Sequence, residues 1–243
     1  MKDSFSDFRK KALRNNHREN LFLHFFAAPI APYFSFLFAK FNLSPNQVTL
    51  IFFLTGLLGT LPFLQHEPVF VLSGYFLYRF HIVFDICDGE IARYTKLYSA
   101  NGAFYDFVIH SFLYPMFAMT AYIGAYWKYE KVELLMVGML VMFAAGFGQA
   151  MKNSFYRAMW KANFKETNPS SRQKAGLFLL LKSVIKNIFN FEGFIFLFSL
   201  SVFIGDSRFL IVLGLWSSLA IVGISFLKFL RFRSKLQALD LGK

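Results

Sequence analysis

Long apolar segments separated by short polar ones dominate the pattern of this sequence. Each of six segments is apolar over about 20 residues, the length that an α-helix needs to cross the hydrocarbon core of a bilayer. They cover 48–65, 68–94, 101–127, 133–158, 188–205 and 208–229. Ser44, Pro45 and Asn46 precede the first segment and are typical of a helix start. The pattern predicts an all-α integral membrane protein with six transmembrane helices.

A shorter apolar stretch at 21–40 precedes these segments and ends at Lys40. Pro29 and Pro32 interrupt it, so it fits either a span or an amphipathic helix in the membrane interface. If it crossed the bilayer, the basic arm of residues 1–20 would lie opposite the other basic loops. We therefore predict an N-terminal interfacial helix. A second surface helix is predicted at 176–187, where leucines mix with lysines.

These elements divide the chain into three parts. Residues 1–43 form a basic arm with the interfacial helix, 44–235 form the six-helix membrane domain, and 236–243 form a tail. The first twenty residues are polar and basic, and prolines interrupt the apolar stretch that follows. We therefore expect no cleavable signal peptide.

The distribution of Lys and Arg predicts the orientation of the helices. The turn at 65–68 has no basic residue, and the turns after the third and fifth segments have few. The opposite side carries the basic arm and the following residues: Lys96, Lys152, Arg157, Lys161, Lys165, Arg172, Lys174, Lys182, Lys186, Lys228, Arg231, Arg233, Lys235 and Lys243. The positive-inside rule places that side, with both termini, in the cytoplasm. We expect a multi-pass protein of the inner cell membrane.

Composition agrees with a membrane protein. Hydrophobic residues make up 56% of the chain, and 35 residues are phenylalanine. The net charge of +12 would suggest nucleic acid in a soluble protein. Here the basic residues lie between apolar runs, so they indicate orientation and contact with anionic lipids, and we expect no nucleic-acid partner. Cys87 is the single cysteine, which excludes an internal disulfide, and we expect its thiol to be buried and unreactive.

Acidic side chains inside the predicted spans indicate function, because each costs about 2.5–3.5 kcal/mol on insertion scales. The second span contains Asp85, Asp88 and Glu90, and the third contains Asp106; Glu192, near the start of the fifth, is ambiguous. Residues three or four apart share a helix face. Asp85 and Asp88 therefore share one face, and Asp106 and His110 share another. Because the turn between the two helices lies near 97–98, we expect Asp88 level with Asp106, and Asp85 level with His110 in a deeper layer.

Three converging carboxylates repel one another unless a cation or protons compensate them. Oxygen ligands suit Mg²⁺ or Mn²⁺, and such sites commonly hold substrate phosphates as well. Arg93 is placed to meet a phosphate oxygen, and Gly89 and Gly102 leave room for a ligand near the backbone. The alternative interpretation is a structural Asp–Arg pair with packing glycines.

The same residues carry a resemblance to a known family. The signature of the CDP-alcohol phosphotransferases, D-x2-D-G-x2-A-R-x8-G-x3-D-x3-D, resembles the stretch Asp85-x2-Asp88-Gly89-x2-Ala92-Arg93-x8-Gly102-x3-Asp106-x3-His110. Seven of its eight fixed positions are met. Upstream, the P-N-x-x-T element that often opens the first membrane helix in this family is similar to Pro45-Asn46-x2-Thr49.

The resemblance implies a transferase of phospholipid or related phospho-alcohol synthesis. Such enzymes move a substituted phosphate from a CDP-linked alcohol to the hydroxyl of a second alcohol and release CMP. Two metal ions, here Mg²⁺ or Mn²⁺, typically bind the diphosphate. The implied partners are a CDP-alcohol donor, a lipid or polyol acceptor and the membrane, and similar proteins are often homodimers. By position, the metal ligands are Asp85, Asp88 and Asp106, and the substrate-binding residues are Gly89, Ala92, Arg93, Gly102, Asn46 and Thr49.

The last aspartate of the signature is replaced by His110. In relatives this aspartate acts as the base that deprotonates the attacking hydroxyl. Histidine can act as a base, since its unperturbed pKa is about 6.5, but it is a poorer ligand for a hard ion. Three interpretations stay open: His110 is the base, another group is the base, or the chain is a non-catalytic relative.

Other classes of function also stay open. A non-catalytic relative would be a membrane scaffold or regulator. An ion-coupled transporter also uses intramembrane carboxylates, although the sequence lacks the repeats and broken helices typical of one. Four basic residues either bind an acceptor phosphate or serve only membrane topology and lipid contact. They are Lys152, Arg157, Arg172 and Lys174. The acceptor, and which substrate carries the CDP, stay open.

Overall fold

A computed structural model of the protein describes residues 3–12, 26–161, 188 and 190–241. The helices are α1 (Phe5–Ala12), α2 (Ala28–Lys40), α3 (Pro45–Thr60), a 3₁₀ turn (Leu61–Gln65), α4 (Pro68–Thr95), α5 (Ala100–Tyr129), α6 (Val132–Lys161), α7 (Phe191–Ser201) and α8 (Ser207–Leu241). The described part of the chain contains no strand. The predicted all-α fold is confirmed.

Five helical segments are long and apolar enough to cross a membrane: Pro45–Gln65, Pro68–Thr95, Ala100–Tyr129, Val132–Met159 and Ser207–Ser234. They correspond to five of the six predicted spans, and the protein is a multi-pass integral membrane protein.

The segment predicted as a span at 188–205 forms a shorter helix. α7 has 11 residues, or about 16 Å, which is less than the ~30 Å of a hydrocarbon core. The difference arises at both ends of the apolar run. Asn190 caps the N-terminus by accepting a hydrogen bond from the Gly193 N–H, and the chain leaves the helix after Ser201 and reaches Gly205 at a φ of +68°. Apolar composition therefore extends beyond the helix that it predicts.

The stretch predicted to be an interfacial helix contains α2, whose 13 residues span about 20 Å. α2 packs on α4, where Ser35 donates a hydrogen bond to Glu90 at 2.6 Å and the buried Cys87 thiol lies 3.4 Å from the Ala31 carbonyl oxygen. Residues 21–25 and the surface helix predicted at 176–187 lie outside the described residues.

Short turns reverse the chain between the long helices. α4 and α5 are joined by four residues, and α5 and α6 by two. Lys96 and Glu130, the first residues of these turns, adopt left-handed φ values of 58° and 53°. Short connections make neighbouring helices antiparallel. The N-termini of α3 and α5 and the C-termini of α4 and α6 therefore lie at one end of the bundle, which we call the motif end.

A buried ion pair ties α7 to α4. Arg79 Nη1 lies 3.1 Å from Glu192 Oε2, and both side chains are almost fully buried. The Arg79 guanidinium also lies over the rings of Tyr75 and Tyr78, at 4.9 and 5.0 Å. Glu192, ambiguous from the sequence, is thus a buried partner of Arg79. Removal of one member of such a pair typically costs about 3–5 kcal/mol, so the pair fixes α7 against the bundle.

The turn between α3 and α4 has a titratable group whose burial makes the fold acid-sensitive. The His66 ring is buried against Tyr129 and Phe198. Burial, and then the nearby charge of Lys128, lower the His66 pKa to about 4. In the unfolded chain a histidine titrates near 6.5, so the unfolded state binds a proton that the folded state rejects. This contribution to stability is complete above about pH 6.5 and is lost as the pH falls toward 4.

We expect His66 alone to lower the stability of the detergent-solubilised protein by about 2 kcal/mol between pH 7 and pH 5. His66→Asn removes the titration, and asparagine tolerates the φ of 45° at this position. Thermal unfolding at pH 5, 6 and 7 should show a smaller acid shift for His66→Asn than for the wild type. Equal acid shifts in the two proteins would contradict the prediction.

Candidate active site

Helices α4 and α5 bring an acidic cluster together near the motif end. Asp85 on α4 and Asp106 and His110 on α5 each present one ligand atom within 4.8 Å of the others. His110 Nε2 lies 3.1 Å from Asp106 Oδ1 and 3.5 Å from Asp85 Oδ1. We call these three residues the acidic cluster. Helical spacing and an antiparallel turn place them together, as the sequence reasoning expected.

A residue of α3 holds Asp88, the third metal ligand that the family resemblance implies. Asp88 lies outside the acidic cluster, and its Oδ2 accepts a hydrogen bond from Thr49 on α3 at 2.9 Å. Thr49 also donates to the Pro45 carbonyl oxygen at 3.0 Å. Asp88 is three residues from Asp85 on the same face of α4, so it borders the same site. Because carboxylates repel, the Thr49 hydroxyl gives Asp88 a partner away from the other two.

The N-termini of α3 and α5 meet beside Asp88. Ser99 caps α5 by accepting a hydrogen bond from the Gly102 N–H at 2.9 Å. A Cβ on Gly102 would lie 3.1 Å from Ser99 Oγ and 3.5 Å from Asn46 Oδ1. The glycine therefore preserves a narrow space between the two helix starts. The upstream element with Asn46 and Thr49 lies next to the signature, where two helix N-termini favour a negatively charged group.

Arg93 folds back along α4 over Gly89. Its Nη1 lies 3.2 Å from the point that a Cβ on Gly89 would occupy, so a side chain there would push the guanidinium away. Its Nε donates a 2.7 Å hydrogen bond to the carbonyl oxygen of Ala12. Ala92 is partly exposed one turn after Asp88, on the same helix face. The signature residues of α4 thus line the surface between Asp88 and the helix end.

Aromatic rings surround the other side of His110. Its ring centroid lies 5.7 Å from that of His81, 5.2 Å from Tyr114 and 5.7 Å from Phe52. His81 in turn accepts or donates at Nδ1, 3.0 Å from the Phe52 carbonyl oxygen. Tight packing therefore fixes the His110 ring while its Nε2 faces two carboxylates. The sequence reasoning missed His81, although its spacing of four from Asp85 was a usable signal.

Glu90 and four basic residues are the remaining candidates from the sequence. Glu90 turns away from the acidic cluster toward Ser35 on α2. Lys152 on α6 is exposed, and its neighbour Asn153 donates a hydrogen bond to Ser111 on α5 at 2.9 Å. Arg157 is exposed on the same helix, whereas Arg172 and Lys174 lie outside the described residues. Lys152 therefore lies on the part of α6 that packs against α5 beside His110, and both interpretations of its role stay open.

The residues of the acidic cluster fit a divalent cation. Asp106 Oδ1 is buried, and its 3.1 Å contact with His110 lacks the alignment of a hydrogen bond, so this oxygen has no hydrogen-bond partner among the described residues. Two carboxylates offer the oxygen ligands that Mg²⁺ and Mn²⁺ prefer. The geometry thus supports a site for such an ion.

Comparison with known proteins identifies the family of the chain. The model of the CDP-alcohol phosphatidyltransferase family matches residues 42–205, from just before α3 to just after α7. A similar protein is the bifunctional IPC transferase and DIPP synthase of Archaeoglobus fulgidus, which is 35% identical over 127 residues. The match covers 52% of this chain and 23% of that protein, so the chain corresponds to a part of it. Since the family match extends over more than half of the sequence and includes the signature around the acidic cluster, the chain belongs to the CDP-alcohol phosphatidyltransferase family.

Proposed function

We propose that the protein is a membrane CDP-alcohol phosphotransferase. It transfers a substituted phosphate from a CDP-linked alcohol to an acceptor hydroxyl and releases CMP, in the synthesis of phospholipids or related phospho-alcohols. The observation that carries the proposal is the convergence of Asp85, Asp106 and His110 within 4.8 Å inside the family signature. A cluster of this kind inside a membrane domain is costly without a function.

Asp85, Asp88 and Asp106 are the proposed holders of two Mg²⁺ or Mn²⁺ ions. Bound divalent cations neutralise diphosphate charge and stabilise the entering and leaving oxygens of a phosphoryl-type displacement. The hydrogen bond that Thr49 donates to Asp88 orients the Asp88 carboxylate for this role. Thr49 therefore supports a ligand, as well as lying beside the substrate.

The CDP group is proposed to lie between the start of α3 and the ends of α4 and α5. Arg93 supplies a guanidinium whose planar donors match phosphate oxygens. Gly89 and Gly102 leave space above the backbone, and Asn46 faces that space across Gly102. Ala92 completes this surface one turn from Asp88.

His110 is the proposed base. Its Nε2 accepts the proton of the acceptor hydroxyl as the new oxygen–phosphorus bond forms and the bond to CMP breaks. Asp106 and Asp85, at 3.1 and 3.5 Å, stabilise the imidazolium that results. The packed rings of His81 and Tyr114 keep the imidazole facing the site. The proton then leaves to solvent.

The acceptor is proposed to be a lipid or polyol hydroxyl at the membrane surface. Lys152, on the part of α6 that contacts α5 beside His110, suits an acceptor that carries a phosphate. By the distribution of basic residues, the motif end faces the cytoplasm in an inner cell membrane, with both termini on that side. We further propose that residues 44–235 form the transferase domain and that the protein assembles as a homodimer.

CMP release tests the function directly. Purified protein in detergent is offered a panel of CDP-alcohols and acceptors with Mg²⁺ or Mn²⁺. We expect CMP only when donor, acceptor and metal are all present, and we expect EDTA to abolish it, with activity restored by added Mn²⁺. The competing function is a non-catalytic scaffold, which the replacement of the family's last aspartate by His110 favours. Absence of CMP across the panel would support the scaffold.

A further inference from the structure

The N-terminal helix α1 docks on the C-terminal end of α4. Its apolar face consists of Phe5, Phe8 and Ala12, and Phe8 is fully buried. The Phe8 ring centroid lies 4.8 Å from that of Tyr94 on α4 and 5.7 Å from that of Phe36 on α2. α1 therefore rests on a surface built by both of these helices, directly beside Arg93.

Polar contacts join the last turn of α4 to Asp3, just before α1, and to Ala12 in α1. The Tyr94 hydroxyl donates to Asp3 Oδ2 at 3.0 Å, and Lys11 pairs with the same oxygen at 2.6 Å. At the other end, Arg93 Nε donates to the Ala12 carbonyl oxygen at 2.7 Å.

This contact determines where the Arg93 guanidinium points. Arginine has a long, flexible side chain, and its ordering on binding a ligand costs free energy. With Nε held by Ala12, Nη1 lies over Gly89. The Arg93 side chain is therefore already ordered before a phosphate binds, so the free-energy cost of ordering it does not reduce the affinity.

We infer that α1 is a positioning element of the nucleotide site, which holds Arg93 in the orientation that receives a diphosphate oxygen of the CDP group. The inference rests on the proposed function of Arg93. Ala12 itself acts only through Arg93. Lys10 is exposed and two residues from Phe8, so its side chain lies on the opposite face of α1 and leaves the docking contact unaffected.

Binding of CDP in the presence of Mn²⁺ tests the inference on the full chain by titration calorimetry. CDP carries the cytidine and diphosphate that all CDP-alcohols share. Phe8→Ala removes the buried anchor of α1, and we expect the Kd for CDP to rise by about tenfold, the effect of losing one pre-ordered long side chain. Phe8→Leu keeps an apolar anchor and should stay near the wild-type Kd. Lys10→Ala, on the exposed face of α1, is the matched control and should leave the Kd unchanged.

A double-mutant cycle separates positioning from general damage. Arg93→Lys lacks the planar fork, so we expect weaker CDP binding and no further loss when Phe8→Ala is added. Binding of Mn²⁺ alone should be the same in Phe8→Ala as in the wild type. If Phe8→Ala does not fold, Tyr94→Phe removes only the hydroxyl contact with Asp3 and should raise the Kd by about two- to threefold.

The possible results distinguish a failure of the α1 inference from a failure of the proposed role of Arg93. Additive losses in Phe8→Ala and Arg93→Lys, or tighter CDP binding in Phe8→Ala, would overturn the inference, the latter by showing that α1 occludes the site. Weaker binding in Arg93→Lys with unchanged binding in Phe8→Ala and Tyr94→Phe would overturn it as well while preserving the proposed function. Unchanged CDP binding in Arg93→Lys would instead refute the proposed nucleotide role of Arg93.

Discussion

Asp106→Asn is expected to lower CMP release by about a thousandfold, or about 4 kcal/mol of transition-state stabilisation, the scale expected when a metal-holding carboxylate is lost. Asparagine has the size of aspartate, so α5 should keep its packing. The substitution removes the charge that lies 3.1 Å from His110 and helps to form the acidic cluster. The measurements are turnover at saturating donor and acceptor, and the affinity for Mn²⁺ in the absence of substrate. Both should fall.

Glu90→Gln is the matched control for this experiment. Glu90 is also a buried carboxylate near the motif end, but it accepts a hydrogen bond from Ser35 and faces α2. Glutamine can accept the same bond, and no proposed ligand is altered. We expect turnover within about threefold of the wild type, as for substitutions away from the chemistry. An Asp106→Asn protein that retains more than a tenth of the activity and binds Mn²⁺ normally would refute the site assignment.

His110→Ala is expected to lower turnover by about 10²–10⁴-fold, the usual contribution of a general base. The alanine leaves the acidic cluster with two carboxylates and removes the group that accepts the proton. CDP should still bind, because Arg93 and Gly89 lie on α4, away from His110. The readouts are single-turnover CMP formation and the Kd for CDP, so that a chemical defect is separated from a binding defect.

His110→Asp and His110→Asn form a matched pair at the same position. Aspartate restores the family signature and supplies a base, so we expect it to recover part of the activity that alanine loses. Asparagine has nearly the same shape and no basic carboxylate, and we expect it to stay near the alanine level. Full turnover in His110→Ala would show that another group removes the proton. Equal activity of the Asp and Asn proteins would likewise count against a base at position 110.

The acidic cluster shows how the bundle makes a charged site tolerable inside a membrane domain. Asp85, Asp106 and His110 lie within 4.8 Å, so a divalent cation held there would offset the repulsion between the two carboxylates. Asp88 has a separate partner in Thr49. Deeper in the bundle, Arg79 and Glu192 neutralise each other. The half-buried Asp88 and the buried Glu192 therefore each have a polar or charged partner, as expected where water is largely excluded.

The sequence by itself determined the helical membrane fold, the family and the meeting of α4 with α5. Helical periodicity places Asp106 and His110 on one face, and a four-residue turn fixes the register of two antiparallel helices, so local rules were sufficient for the acidic cluster. The signature then identified the family, because its spacing spans that same turn.

Only the tertiary structure decided the contacts between residues distant in the chain. Asp88 turns toward Thr49, Arg79 pairs with Glu192 113 positions away, and Arg93 binds the carbonyl of Ala12 81 positions away. The short length of α7 also became visible only in the structure. The physical reason is that periodicity fixes which face of a helix a residue occupies, whereas its partner depends on how separate helices pack, which the spacing of residues along one helix does not encode.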